Sequence, residues 1–245
     1  MWTLGGRGRP LEPRVPAGMR VYAIGDIHGR LDLLTDIHSR IDVDLMQSSS
    51  ANTMEVYLGD YIDRGPASRE VIECLIERSH KRRTAFLKGN HEIFPVEFIY
   101  HPETLRSWAQ FGGLETLASY GLRLALSGDD TELLNAAMSF RALVPPNHVA
   151  FFNNLLPYLI CGDFFFVHAG VRPGIPLDRQ SDDDLFWIRD EFLLCEDDFG
   201  KIIVHGHTPV AVPDFRENRI NIDTGAYATG RLTCLVIVDD KCSLL

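Results

Sequence analysis

The chain is short of positive charge. Lys and Arg number 24 against 34 Asp and Glu, a net charge of −10, so no overall field draws it to nucleic acid or to an anionic membrane. It is also poor in organised cysteine. Cys74, Cys161, Cys195, Cys234 and Cys242 are odd in number and form no Cys-x-x-Cys pair, which argues against a disulfide framework or a structural zinc site and for a reducing cytoplasm. No apolar run reaches the ~20 residues of a membrane span. Met1 to Gly18 is rich in Gly, Pro and Arg without an apolar stretch; it does not read as a signal peptide, and a flexible tail over 1–18 is expected. There is no internal repeat. What remains is enough chain for one α/β domain, residues 19–245, with a full core.

Within that domain a rhythm repeats. Met19 to Ile24 reads as a buried strand, followed by Leu31, Leu34, Ile37 and Ile41 at helical spacing. Residues 42–53 read as a polar loop. Met54 to Leu58 reads as a second strand, Pro66-Ala67-Ser68 opens a helix carrying Val71, Ile72, Leu75 and Ile76, and Thr84 to Leu87 reads as a third strand. Strand and helix alternating in this way predict parallel pairing in the first third. From about 93 to 160 the pattern turns helical, with stretches at 104–120 and 130–143, and predicts a cap insertion over the site. Apolar runs at Phe164–Val167, Ile202–Val204, Ile220–Ile222 and Leu232–Val238 predict a second set of strands, and two face-to-face sheets with helices outside accommodate all of it.

Five segments follow these strands: Gly25-Asp26-Ile27-His28-Gly29, Gly59-Asp60-Tyr61-Ile62-Asp63-Arg64-Gly65, Gly89-Asn90-His91-Glu92, Val167-His168-Ala169-Gly170 and His205-Gly206-His207-Thr208-Pro209. One such junction is an ordinary turn; five place oxygen and imidazole donors at strand ends, as a metal site requires. Asp26 and His28 can reach one cation, Asp60 can bridge two, and Asn90, His168 and His207 supply the second. A bridging carboxylate holds two metals about 3.5–4 Å apart. The mixed O and N donors suit two divalent ions, Mn(II) first, with Fe or Zn as alternatives. His205 is expected to be a buried histidine satisfied by backbone, lying on the same side as His207 if the strand continues. His38, His80, His101 and His148 are expected to be packed or solvated, Trp108 and Trp187 to be core or cap packing, and Glu92 and Asp223 to anchor loops.

The order of these motifs resembles the phosphoprotein phosphatase branch of the calcineurin-like metallophosphoesterases, in its bacterial and bacteriophage lambda serine/threonine phosphatase form, with symmetrical diadenosine tetraphosphatases as near relatives. It extends from about Arg20 to Val238. The resemblance implies a four-layer α/β/β/α sandwich and a dinuclear centre on Asp26, His28, Asp60, Asn90, His168 and His207. It implies His91 as general acid oriented by Asp63, Arg64 and, by a looser match, Arg189 as phosphate clamps, with Asn90 and His91 also meeting the phosphate. The implied activity is direct attack of a metal-bridging hydroxide on a phosphomonoester, of a phosphoprotein or a small phosphoester; hydrolysis of a dinucleoside polyphosphate is the alternative on the same centre. The chain is expected to be a monomer or weak dimer.

Overall fold

The first strand, β1 (Met19–Ile24), is buried on both faces: Tyr22 and Ile24 point to one side, Val21 and Ala23 to the other. A strand of that kind needs cover above and below. A computed structural model, which describes residues 12–48, 52–124 and 129–245, shows what supplies it. After β1 come α1 (Leu31–Gln47), β2 (Asn52–Tyr57), α2 (Ser68–Ser79) and β3 (Thr84–Phe86). Five helices follow, α3 (Ile93–Tyr100), α4 (Leu105–Trp108), α5 (Gly113–Ser119), α6 (Asp130–Leu143) and α7 (Pro146–Asn153). The second half runs β4 (Tyr158–Cys161), β5 (Phe164–Val167), α8 (Asp182–Trp187), α9 (Asp190–Leu193), β6 (Ile202–His205), β7 (Asp214–Phe215), β8 (Arg219–Asn221), α10 (Ala226–Thr229), β9 (Cys234–Val238) and β10 (Lys241–Leu244).

The strands form two five-stranded sheets, ordered β10-β9-β1-β2-β3 and β4-β5-β6-β8-β7. β1, β2 and β3 pair in parallel, as do β5, β6 and β8. Val21, Ala23, Val56 and Leu58 of one sheet meet Phe164, Phe166, Val204 and Ile220 of the other in the central core. Outside the first sheet lie α1, α2 and the α3 to α7 group; outside the second, Phe165, Val167 and Ile203 pack on Leu185, Phe186 and Phe192 from α8 and α9. This is the four-layer α/β/β/α arrangement. Each fully buried phenylalanine of the Phe164-Phe165-Phe166 run contributes about 1.5–3 kcal/mol by leaving water, and their alternation ties the central core to the outer one.

Several elements depart from the sequence reading. α1 continues through Gln47 where a polar loop was expected from residue 42. The two acids of this stretch are paired: Asp42 receives two charge-assisted hydrogen bonds from Arg78, and Asp44 meets Arg20 and the Tyr22 hydroxyl. β9 does not join the second sheet; it lies antiparallel to β1 in the first. The helices of residues 93–153 share one buried cluster with α1 and α2, and among them α4, α5 and the turn between reach the strand ends, where Trp108 and Thr116 donate to Asp63 and the Gly112 carbonyl accepts the Arg64 amide. Of the expected tail, residues 1–11 lie outside the described residues. Pro13 and Val15 are buried, and the Val15 amide donates to the Asp239 carbonyl at 2.9 Å, so residues 12–18 dock against the domain and are not a solvated tail. No helix among the described residues is long and apolar enough to cross a membrane.

Candidate metal centre

Parallel strands deliver their carboxyl ends to one edge, and ligands bind where those ends meet. β1 ends into Asp26 and His28, β2 into Asp60 and Asp63, β3 into Asn90 and His91, β5 into His168, and β6 into His207. The turns are unusually tight. Among the described non-glycine residues, six have positive φ, and five of them are His28, Asp60, Asp63, Arg64 and His207. Each such conformation costs of order 1–3 kcal/mol and persists where surrounding bonds over-determine it. Here the Glu92 carboxylate does much of that, accepting the amides of Asp60, Tyr61 and Gly89 at 2.9, 2.8 and 3.0 Å. Glu92 is thus the loop anchor expected of it.

Two groups of buried donors face common points: His28, Asp60 and His91, and Asp60, His168 and His207. Asp60 belongs to both, as a bridging carboxylate must. The imidazole tautomers are set from behind. His28 Nδ1 donates to the Ile62 carbonyl at 2.8 Å and His168 Nδ1 to the Leu58 carbonyl at 2.9 Å, so each Nε2 carries a lone pair. His168 Nε2 then faces Asn90 Oδ1 at 3.0 Å and His207 Nδ1 at 3.2 Å, and Asn90 Oδ1 lies 2.9 Å from His207 Nδ1. Acceptors so crowded suit a shared cation.

Two further features fit a metal. Asp26 Oδ2 accepts the His207 amide at 3.0 Å, while its buried Oδ1 has no hydrogen-bond partner. The same Oδ1 lies where a Cβ on Gly206 would be, 2.0 Å away, so only glycine leaves the carboxylate in place. The electrostatics agree. Burial first, then Asp223 and Asp60, push Asp26 well above the usual carboxylate range, so this carboxylate would stay ionised only with a cation to balance it. Burial lowers His28 to about 3, and burial followed by His168 lowers His207 to about 2, which keeps both rings neutral. Burial would raise Asp60 too, but His168, His91 and His28 outweigh it and hold it low. Neutral imidazoles and an ionised carboxylate are the states that bind metal.

His91 is held differently. Its Nδ1 is 2.6 Å from Asp63 Oδ2, and Asp63 also accepts from Trp108 Nε1 at 2.9 Å and from Thr116 Oγ1 at 2.5 Å. Burial works to lower the pKa of His91, but Asp60 and Asp63 overcome it and hold the value above the ordinary one. Arg64 places one guanidinium nitrogen 3.0 Å from His28 Nε2 and the other 3.1 Å from His91 Nε2, and its plane lies 4.7 Å from the centre of the Tyr227 ring. Arg189 is exposed at the N-terminus of α9, and no described residue takes a hydrogen bond from its guanidinium; its charge bears on His168 and His207.

Thr116, Trp108, Phe111 and Tyr227 belong to no motif and come to the site only through folding. Trp108 is core, as expected, and also a donor to Asp63. Trp187 packs edge-on against Phe111 of the helical insertion, as cap packing was expected to, but it is also 36% exposed and stands beside His207. β6 ends at His205, so His205 turns away from His207 and packs edge-on against Phe192, with Nδ1 on the Gly206 carbonyl at 3.1 Å. His38 and His148 are packed against the Tyr57 and Tyr120 hydroxyls; His80 and His101 are exposed. Asp223 accepts the Gly225 amide at 2.8 Å.

The family model for calcineurin-like phosphoesterases matches residues 19–234. A bis(5'-nucleosyl)-tetraphosphatase PrpE, of asymmetrical type, from Bacillus thuringiensis (strain Al Hakam) is 29% identical over 238 residues, covering 89% of this chain and 90% of its own length. A solved structure described provisionally as a diadenosine tetraphosphatase superposes with a TM-score of 0.61 at 18% identity, covering 92% of each chain. A serine/threonine phosphatase from Saccharomyces cerevisiae superposes with a TM-score of 0.54 at 16% identity, covering 93% of this chain and 79% of its own. Both superpositions establish the likeness of fold.

Proposed function

This chain belongs to the calcineurin-like phosphoesterase family, and we propose from that premise that it is a metal-dependent hydrolase of dinucleoside polyphosphates. Asp26, His28, Asp60, Asn90, His168 and His207 would hold two divalent ions, with Mn(II) the best fit to their mixed donors and Fe or Zn next. When bound, the ions neutralise phosphate charge and lower the pKa of a bound water. The chain's own residues do the rest. Arg64 offers a planar fork to the equatorial phosphate oxygens, and Arg189 a second cation from the rim. His91, with Nδ1 fixed by Asp63, turns Nε2 toward Asp60 (3.8 Å) and Arg64, where it can give a proton to the leaving oxygen.

The observation that carries the chemistry is the convergence of the six donors, the Asp63–His91 pair and the Arg64 fork on one edge of two sheets. The substrate reading is supported by PrpE relatives whose similarity runs through most of both chains. A second reading, phosphoserine or phosphothreonine hydrolysis, is supported by the Asp63–His91 pair itself. A polyphosphate leaves readily, whereas a serine alkoxide needs a proton, so a built-in acid matters most for a phosphoprotein. Manganese-loaded protein given diadenosine tetraphosphate and a phosphoserine peptide in parallel decides between them. A higher kcat/KM on the tetraphosphate is expected; a higher value on the peptide would reverse the order.

A further inference from the structure

Two large aromatic rings are open to solvent at the site, and they are not equivalent. Tyr227, 41% exposed, has the Arg64 guanidinium over its ring. Trp187, 36% exposed, touches Phe111 at 6.0 Å and 66° and His207 at 6.3 Å and 83°. Neither neighbour lies parallel to the indole, so among the described residues no aromatic ring is stacked on it. The residue after it, Ile188, is buried in the outer core at 6% exposure, and Arg189 is exposed again. Residues 187 and 189 therefore emerge together while 188 pins the segment down. An indole face, an arginine without a hydrogen-bond partner among the described residues and the His168–His207 donors lie next to one another. That sequence of contacts mirrors base, phosphate and metal along a nucleotide.

We propose that Trp187 is the platform on which the nucleobase beside the cleaved phosphate stacks, with Arg189 gripping the adjoining phosphate. The proposal rests on the dinucleoside polyphosphate reading. Stacking is worth roughly a 5- to 150-fold change in affinity per base and grows with the area of the ring, so purines should exceed pyrimidines. Stacking alone distinguishes adenine weakly from guanine.

The test uses manganese-loaded wild type, W187A and W187F with diadenosine tetraphosphate, diuridine tetraphosphate and p-nitrophenyl phosphate. W187A should raise KM for the diadenosine compound at least about five-fold, with a smaller rise for the diuridine compound and little change in kcat. The ratio of kcat/KM on diadenosine tetraphosphate to that on p-nitrophenyl phosphate should fall in proportion. W187F should recover much of the loss. Binding gives a second readout that also covers a W187A variant that fails to fold: AMP should quench the tryptophan emission of wild type, and the quench should vanish in W187F. Wild type that cleaves diadenosine tetraphosphate while W187A keeps its KM within two-fold, or an AMP quench that persists in W187F, overturns the platform and leaves the substrate reading standing. Wild type that cleaves p-nitrophenyl phosphate but not diadenosine tetraphosphate overturns the reading, and the platform with it.

Discussion

Replacing His91 with asparagine separates acid catalysis from metal binding. His91 Nδ1 is committed to Asp63 at 2.6 Å, so Nε2 is the nitrogen left to serve the reaction. Asparagine keeps a polar group of smaller size but cannot deliver a proton. A positioned acid contributes about 10²–10⁴ in rate, or about 2.7–5.4 kcal/mol of barrier at 1.36 kcal/mol per tenfold. The whole of that is at stake when the leaving group is a serine alkoxide. Little of it is at stake for p-nitrophenolate or a nucleoside polyphosphate, which depart unprotonated. His91→Asn should therefore lower kcat on a phosphoserine peptide by at least about 10² and on p-nitrophenyl phosphate by far less. Metal content by plasma emission should stay at that of wild type. Equal losses on the peptide and the aryl ester would refute a proton-donor role and point instead to His91 as a ligand, since its ring also stands within the His28–Asp60 group.

Further expectations follow from the same geometry. Arg64→Lys keeps the charge but loses the fork, so its steady-state kinetics should lie nearer Arg64→Ala than wild type, whereas Arg106→Ala, whose side chain pairs with Asp130 at 2.7 Å on the exposed cap, should be near wild type. Gly206→Ala drives a Cβ into Asp26 Oδ1, and metal analysis should show it falling from two ions per chain toward one; two ions retained would remove Asp26 from the ligand set. His38 is pushed down to about 4 by burial first and Arg78 second. Between about pH 6.5 and 4 the unfolded chain takes up a proton there that the folded chain does not, so this contribution is complete above pH 6.5 and lost as pH falls. At most about 3–4 kcal/mol is involved, at about 1.36 kcal/mol per pH step between the two values. Urea unfolding of wild type should lose more stability over that window than His38→Gln does, and parallel losses would rule the assignment out.

The parts of this molecule legible in its sequence are those where local spacing and global fold agree. β1, α2, α6 and β5 each carry an apolar periodicity that tertiary packing then uses unchanged. The misreadings have a common origin in partners distant along the chain. The end of α1 looked like a polar loop because Arg78, which binds Asp42, lies 36 residues on. β9 looked like a strand of the second sheet because nothing local states that it pairs with β1. β4, β7 and β10 are sheet edges, short and partly exposed, with too few buried residues to show a period.

At the site the same division holds, with one difference. The donors were legible because each follows a strand and lies beside or near glycine, three of them (His28, Asp60 and His207) at positive φ. The residues that support them were not. Asp63 is held by Thr116, 53 positions away, and by Trp108, 45 positions away, both on helices with no motif of their own. A threonine and a tryptophan at those distances are invisible until α4 and α5 bring them in. Yet they explain why Asp63 tolerates full burial: the Trp108 indole, the Thr116 hydroxyl and the His91 imidazole address its two oxygens. α4 and α5, part of the 93–160 stretch read from sequence as a cap insertion over the site, thus form the back wall that keeps the Asp63–His91 pair aligned. The open rim, where Trp187 and Tyr227 stand, is where the proposed base platform lies; the sequence marked Trp187 only as packing and did not mark Tyr227.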